Sequence, residues 1–336
     1  MKFIKEDEKD DYGILDEYGV VYSLDERSVI GFKKEHLKYC KIKGGCIILS
    51  PSSYKNRFVI DNIDIPSSLW SYIRDDYDYT EEGLYIRKSF KVSDFNPYFS
   101  DKRGILFDKK QKTLLECPYE YECTEYTIPS TVSYIKKMAF ENNKTIETLI
   151  IPRNVKWIER RAFNCENLNK VMMISDFVVF DNEPFGYSVK DFTILANEIN
   201  INGAFFTDLP KKITILTNNL YSSCDDFLTR DYYMESNEGK LIKEQKDVVF
   251  TEIVVPIGKI EEFKRLLPEE YHDILREINE EEGEEIREFI KTHGNDKYML
   301  DLLDKFTTDL AKENLKTLSE ENPFIKQLAN EFDASV

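Results

Sequence analysis

Three histidines, six cysteines and one crowded acidic run are the residues of this chain whose types could do chemistry. His36, His272 and His293 lie in three distant segments. No two of them carry the short spacing with which imidazoles hold zinc, and they read as ordinary surface histidines. The cysteines stand at positions 40, 46, 117, 123, 165 and 224. Cys40 with Cys46, and Cys117 with Cys123, are near neighbours, but neither pair is a CxxC and both lie in hairpin-type surroundings. So few thiols in so long a chain read as small buried side chains rather than a disulfide framework. Asp75, Asp76 and Asp78, interleaved with Tyr77 and Tyr79, crowd carboxylates as a calcium loop does. The glycine and the distal glutamate of an EF-hand are missing, so a solvated acidic loop is the expectation. Among 63 acidic residues nothing singles out a pair for glycoside hydrolysis. There is no P-loop, no GxGxxG and no GxSxG. No catalytic residue, metal site or cofactor is expected, and the chain does not read as an enzyme.

The totals point the same way. The formal net charge is -17, with 32% charged and 41% hydrophobic residues. Phosphate backbones and anionic membranes would be repelled, so nucleic acid is not an expected partner. No stretch approaches ~18 uninterrupted apolar residues, so no spanning helix is expected. MKFIKEDEKDDYG has no apolar h-region, and the expectation is a reduced, cytoplasmic protein.

What organises the chain is a repeat. Ile128, Pro129, Val132, Ile135, Ala139 and Phe140 return 23 positions later as Ile151, Pro152, Val155, Ile158, Ala162 and Phe163. A period in the twenties is the mark of a solenoid, whose coils cannot bury their apolar faces alone. A longer echo runs beneath it. At an offset of 86, Ile42, Leu49, Tyr54, Ile60, Ile63, Ile65 and Pro66 match Ile128, Ile135, Phe140, Ile146, Leu149, Ile151 and Pro152. At an offset of 85, Gly19–Val29 matches Gly104–Leu114, each a short hairpin with a charged tip. The N-terminal half is therefore a decayed copy of hairpin, repeat, repeat. The region 70–100 is the least regular and is expected as an elaborated loop on the convex side. Further worn coils run through Phe192 and Ile194, Ile213 and Ile215, and Ile253 to Val255.

Each coil places one short strand in a shared sheet. In Thr148 to Pro152, alternation sends Leu149 and Ile151 into the core and leaves Thr148 and Ile150 outside. Pro152 has no N–H and ends the ladder where the chain turns. Val155, Ile158 and Ala162 have helical spacing, and Phe163 plugs the space between coils. Asn142, Asn143 and Cys165 are placed to bond turn backbone. Gly258–Ile278 is an amphipathic helix broken at Pro268, suited to cover the last apolar edge.

TIPSTVSYIKKMAFENNKTIETLIIP and IIPRNVKWIERRAFNCENLNKV resemble BspA-type leucine-rich repeats, whose pattern is IPxxVxxIxxxAFxxCxxLxxVxIP. GILFDKKQKTLLECP is similar to the hairpin that often precedes such repeats, and VPIGKIEEFKRLLPEEY to the strand and helix that often close them. The resemblance covers roughly residues 13–278. It implies an α/β solenoid, a leucine-rich repeat right-handed superhelix with a curved parallel β-sheet, inserted β-hairpins and a C-terminal helical cap or tail. It also implies a binding role, often at the surface of anaerobic bacteria; the missing signal departs from that pattern.

The expected organisation is a frayed terminus over 1–12, a solenoid over 13–278 and an acidic helical tail over 279–336. The solenoid divides into hairpin plus repeats (13–99), hairpin plus repeats (100–256) and a capping helix (257–278). The expected function is non-enzymatic binding of a protein or glycan through the concave sheet face. Thr148, Ile150, Lys170, Met172, Asp191 and Thr193 are the candidate contact residues, with Asp64, Thr214 and Val254 continuing the row. Ile150 beside Met172 would be an apolar anchor on a polar ladder. The alternative is a structural or assembly protein that self-associates through the tail, over residues 296–330. The apolar face of that tail needs a partner: the solenoid, another copy or another protein.

Overall fold

The computed structural model describes residues 2–5, 12–50, 56–72, 83–223, 227–228, 233–235, 241–243, 251–294 and 296–308. The acidic run at 75–79 and the apolar residues beyond 308 lie outside them. The duplication read from the sequence is visible element by element. The N-terminal half opens with an antiparallel sheet of β1 (Lys2–Lys5), β2 (Tyr12–Leu15), β3 (Val20–Tyr22) and β4 (Val29–Phe32). Three coils follow. Their longer strands β5 (His36–Lys41), β7 (Arg57–Ile65) and β9 (Gly83–Val92) pair in parallel. So do the short returns β6 (Ile48–Leu49) and β8 (Ser71–Tyr72).

The second half repeats this plan. Its hairpin is β10 (Phe99–Lys102), β11 (Ile105–Asp108) and β12 (Thr113–Glu116). The coils supply β13 (Glu125–Thr127), β14 (Tyr134–Ile135), β15 (Thr148–Ile151), β16 (Trp157–Ile158), β17 (Lys170–Phe180), β18 (Asp191–Ile201) and β19 (Lys212–Ser222). A small antiparallel pair, β20 (Tyr233–Glu235) with β21 (Leu241–Lys243), precedes β22 (Glu252–Val255). Two parallel ladders run along this half. One joins β13, β15 and the first parts of β17, β18 and β19 to β22. The other joins β12, β14 and β16 to the second parts of the same long strands. The described residues form a solenoid of about nine coils with a parallel sheet.

The repeat residues fill the core. Ile128, Val132, Ile135, Ala139 and Phe140 and their partners 23 on are essentially inaccessible. Phe140, Phe163 and Phe185 stack coil on coil at ring-centroid distances of 5.2 and 5.4 Å. The residue before each of these Ala-Phe or Pro-Phe phrases takes a left-handed backbone: Met138 (φ 57°), Arg161 (φ 53°) and Glu183 (φ 52°). That conformation turns the chain sharply enough to send Phe inward, and L-residues hold it only when packing demands it. The helical spacing of Val155, Ile158 and Ala162 is realised as turns around β16, without a helix. Asn143 bonds turn backbone as expected. Its Nδ2 donates to the Pro118 carbonyl at 2.9 Å, and its Oδ1 accepts from the Ile146 N–H at 2.9 Å.

Two expectations are corrected. The supposed convex loop contains β9, a full strand with Leu84, Ile86, Phe90 and Val92 buried. Its pattern was obscured by a bulge: Arg87 and Lys88 together oppose the single residue Asp61, which breaks the alternation of two. The expected capping helix is shorter than 257–278. Helix α1 (Ile260–Leu266) stops before Pro268, a 3-10 turn spans Glu269–Ile274, and β23 (Leu275–Glu277) pairs in parallel with β22. The chain re-enters the sheet and adds one more rung before α2 (Glu280–Thr292) and α3 (Lys297–Thr307). No helix among the described residues is long and apolar enough to cross a membrane.

Candidate binding surfaces

The register places Ile150, Met172, Thr193, Thr214, Val254 and Arg276 abreast on the outer face of the larger sheet. A second row, Ile174, Leu195 and Leu216, runs beside it. The sequence-selected residues are thus brought together, as one patch. Their exposure differs from expectation. Ile150 retains 4% of its accessible surface and Thr193 9%, and Met172 is half-buried. The reason is that α2 and α3 lie on this face. Ile150, Ile174, Leu195, Leu216 and Val254 form one apolar cluster with Ile286, Phe289, Ile290, Met299, Leu302, Leu303 and Phe306. The apolar anchor read at Ile150 therefore faces the chain's own helices. Likewise, the apolar side of 297–307, offered above for self-association, is spent on the solenoid. Each Leu or Ile so covered contributes roughly 1.5–3 kcal/mol.

Local chemistry explains how the helices stay there. Asn279 and Glu282 form a capping box at the start of α2, and Asp296 caps α3 through the N–H groups of Tyr298 and Met299. Glu282 is also clamped by Arg276 Nη2 and by Lys212 Nζ, each at 2.6 Å. Burial works to raise its pKa, but these cations and the Asn279 N–H outweigh it and bring the carboxyl down to about 2. At the far end Arg153 Nη1 meets Asp296 Oδ2 at 2.7 Å, and the Arg153 guanidinium lies 4.5 Å from the Tyr298 ring centre. The Tyr298 hydroxyl donates to Asp176 at 3.0 Å, and the Ile257 N–H to the Phe306 carbonyl at 3.0 Å.

Thr148, Lys170 and Asp191 stay half-buried at the edge of the same face, in register with Lys212 and Glu252. The charges alternate along this edge. Lys170 and Asp191 approach to 4.0 Å, while Lys212 is drawn away to Glu282. Asp191 is left under-served: burial raises its pKa against the pull of Lys170 and Lys212, and its Oδ1 is buried without a hydrogen bond.

The N-terminal sheet has a different outer face. His36 Nε2 lies 2.8 Å from Asp61 Oδ1, and Arg87 donates through Nε and Nη2 to both Asp61 oxygens at 2.7 Å. The bulge in β9 is what aims Arg87 there. Burial works against the Asp61 charge, yet Arg87 and His36 outweigh it and hold the carboxyl below its ordinary value. His36 is thus hydrogen-bonded into a cluster with Asp61 and Arg87, beyond the lone surface residue expected. Among the described residues, no three His, Cys, Asp or Glu side chains gather as metal ligands do.

Sequence reasoning missed a third surface. Tyr134 and Trp157 stand abreast on the second ladder, their rings 6.2 Å apart and within 15° of parallel. The Tyr134 hydroxyl donates to Glu159, and Trp157 Nε1 donates to Asp181 at 3.2 Å. Both aromatics directly precede the core Ile of their coil, 23 residues apart, which was the signal available.

Against this geometry the comparisons are plain. Residues 116–229 match the sequence model of the BspA type leucine rich repeat region, in six copies. The matched repeat region holds every candidate residue from Thr148 to Thr214, and it ends before the helices that cover them. Among solved structures, the chain is similar to the pneumococcal vaccine antigen PcpA, at 14% identity over 74% of this chain and 71% of that one (TM-score 0.42). It is also similar to a leucine-rich repeat protein from Eubacterium ventriosum, at 16% identity over 59% and 68% (TM-score 0.32). A leucine rich cell surface protein from Faecalibacterium prausnitzii is similar at 14% identity over 58% and 64% (TM-score 0.36). A comparison with curated proteins found no match.

Proposed function

We propose that this leucine-rich repeat protein is a non-enzymatic interaction module that holds a protein partner on the outer face of its larger sheet. The observation that carries the reading is the cross-coil apolar strip formed by Ile150 and Val254 of one row with Ile174, Leu195 and Leu216 of the next, bordered by Thr148, Lys170 and Asp191. An apolar strip with a polar rim is the anatomy of a protein interface. A strip spanning so many coils is an arrangement a solenoid provides without further design. At rest the strip is occupied by α2 and α3, and the edge residues Thr148, Lys170 and Asp191 remain within a partner's reach. A protein fits this strip better than a glycan does, because its floor is aliphatic and lacks planar polar groups for sugar hydroxyls.

The test is capture from the native cell by the full chain, set against a chain carrying Thr148→Arg, Lys170→Glu and Asp191→Lys. These substitutions alter the rim and leave the core intact. The expected result is loss of a captured protein; identical capture by both chains would reject the face.

A further inference from the structure

The rim of the covered face shows what kind of partner the face accepts. Lys170 pairs with Asp191 within the sheet, and three other cations stand on the rim: Arg153 just after β15, Lys212 at the start of β19 and Arg276 in β23. Each is met by a carboxylate from the beginning of a helix. Asp296, the N-cap of α3, takes Arg153, and Glu282, in the first turn of α2, takes both Lys212 and Arg276. An acid at a helix start is stabilised twice, by the helix dipole and by the rim cation. Between these clamps, α3 turns Met299, Leu302, Leu303 and Phe306 toward the strip, spaced i, i+3, i+4, i+7.

From this charge and shape complementarity we infer that the face is an acceptor for an amphipathic helix of a protein partner with an acidic N-cap, and that α3 is the occupant the chain supplies to itself. The inference rests on the binding reading above and names its partner. Helix α3 is suited to give way. At 11 residues it is too short to persist alone in water, so its order depends on the strip beneath it. Its rim contacts, Asp296 to Arg153 and Tyr298 to Asp176, are partly exposed, and the Asp296–Arg153 ion pair weakens with salt. A longer partner helix presenting the same spacing would replace every one of these contacts while losing less order on binding.

The experiment is a fluorescence-anisotropy titration of the full chain with a labelled peptide of residues 296–308, DKYMLDLLDKFTT. Wild type, its own helix in place, is expected to bind the peptide weakly. A chain carrying Leu303→Asp, which unseats the resident helix, is expected to bind at least tenfold more tightly. A rim-only variant, Asp296→Lys with Tyr298→Ala, leaves the apolar cluster intact and is expected to shift affinity in the same direction; it serves if the first variant fails to fold. A peptide carrying Asp296→Lys is expected to lose at least tenfold on the Leu303→Asp chain and to regain it on that chain with Arg153→Glu added.

The inference is overturned if neither variant chain binds the peptide more tightly than wild type, or if the charge-reversed peptide binds as well as the natural one. Light scattering of the unseated chain supplies another outcome: dimers formed by helix exchange would make a second copy the occupant and overturn a foreign partner. Rim-dependent capture together with absent peptide binding would sink this inference and leave the interaction module standing. Peptide binding with rim-independent capture would reject Thr148, Lys170 and Asp191 as partner contacts and leave the helix-accepting strip standing.

Discussion

At one coil position the N-terminal sheet carries Asp64, and 86 residues on, the C-terminal sheet carries Ile150. The neighbouring pair is Asn62 and Thr148. The inward positions of both sheets are alike, with Ile63 and Ile65 packed as Leu149 and Ile151 are. Outside, the N-terminal face satisfies itself across strands: the Tyr39 hydroxyl donates to Asp64 at 2.7 Å, Ser89 donates to Asn62 at 2.7 Å, and Arg87 and His36 hold Asp61. On the C-terminal face Ile150 stands where Asp64 does, with Ile174, Leu195, Leu216 and Val254 in the same apolar cluster, and that face needs a lid. The difference teaches that the coil supplies the scaffold while one outward residue per rung decides whether a solenoid face meets water or a helix.

Exchanging the residues at these positions should exchange the behaviour, to different degrees. Ile150→Asp would bury a carboxylate beneath α3 and should cost about 2–4 kcal/mol through lost apolar contact and an unpaired charge. Hydrogen exchange should show faster amides over 280–308 and unchanged amides over 57–65. Glu282→Gln leaves Arg276 and Lys212 without their shared carboxylate, and a loss of roughly 1–3 kcal/mol in the melting of the lid is expected. Acid titration reaches the same contact without mutation. Because the folded pKa of Glu282, about 2, lies below its ordinary 4.5, its contribution is complete above pH 4.5 and disappears as pH falls toward 2. Protection of α2 and α3 should therefore fade across that window in wild type and more shallowly in the Glu282→Gln chain. Asp61→Asn should cost about 1–2 kcal/mol, by weakening the bidentate clasp of Arg87, with faster exchange confined to β7 and β9. Asp64→Ile, at an uncovered position, should change stability by less than ~0.5–1 kcal/mol while raising light scattering at high concentration. A large stability loss there would show that the N-terminal face is not the free surface described.

The core was legible because repetition tests itself: Ile128, Val132, Ile135 and Phe140 had counterparts at the same spacing, and burial followed. The outer row was legible as a row, since strand alternation alone separates Thr148 and Ile150 from Leu149 and Ile151. What covers it was not, because the cluster that joins Ile150 to Leu302 and Phe306 spans some 150 positions of sequence and no local period encodes it. Strand β9 escaped because its bulge inserts two charged residues opposite one. Tyr134 and Trp157 escaped for the opposite reason: their strands are two residues long, too short for any alternation to appear.

The hairpin β10–β12 has two working faces. Ile105, Phe107 and Leu114 belong to the core of the second half, while Phe99, Leu106 and Leu115 pack into the core of the first. Yet β9 and the hairpin belong to separate sheets, tied by isolated backbone bonds such as Phe90 N–H to the Gly104 carbonyl and Tyr119 N–H to the Ile86 carbonyl. Mechanically this is a glued joint between two bricks. A load along the solenoid axis crosses from one half to the other chiefly through side-chain packing, which yields more gradually than a strand ladder in shear. Leu106 and Phe107 are neighbours in the chain, but each holds a different brick.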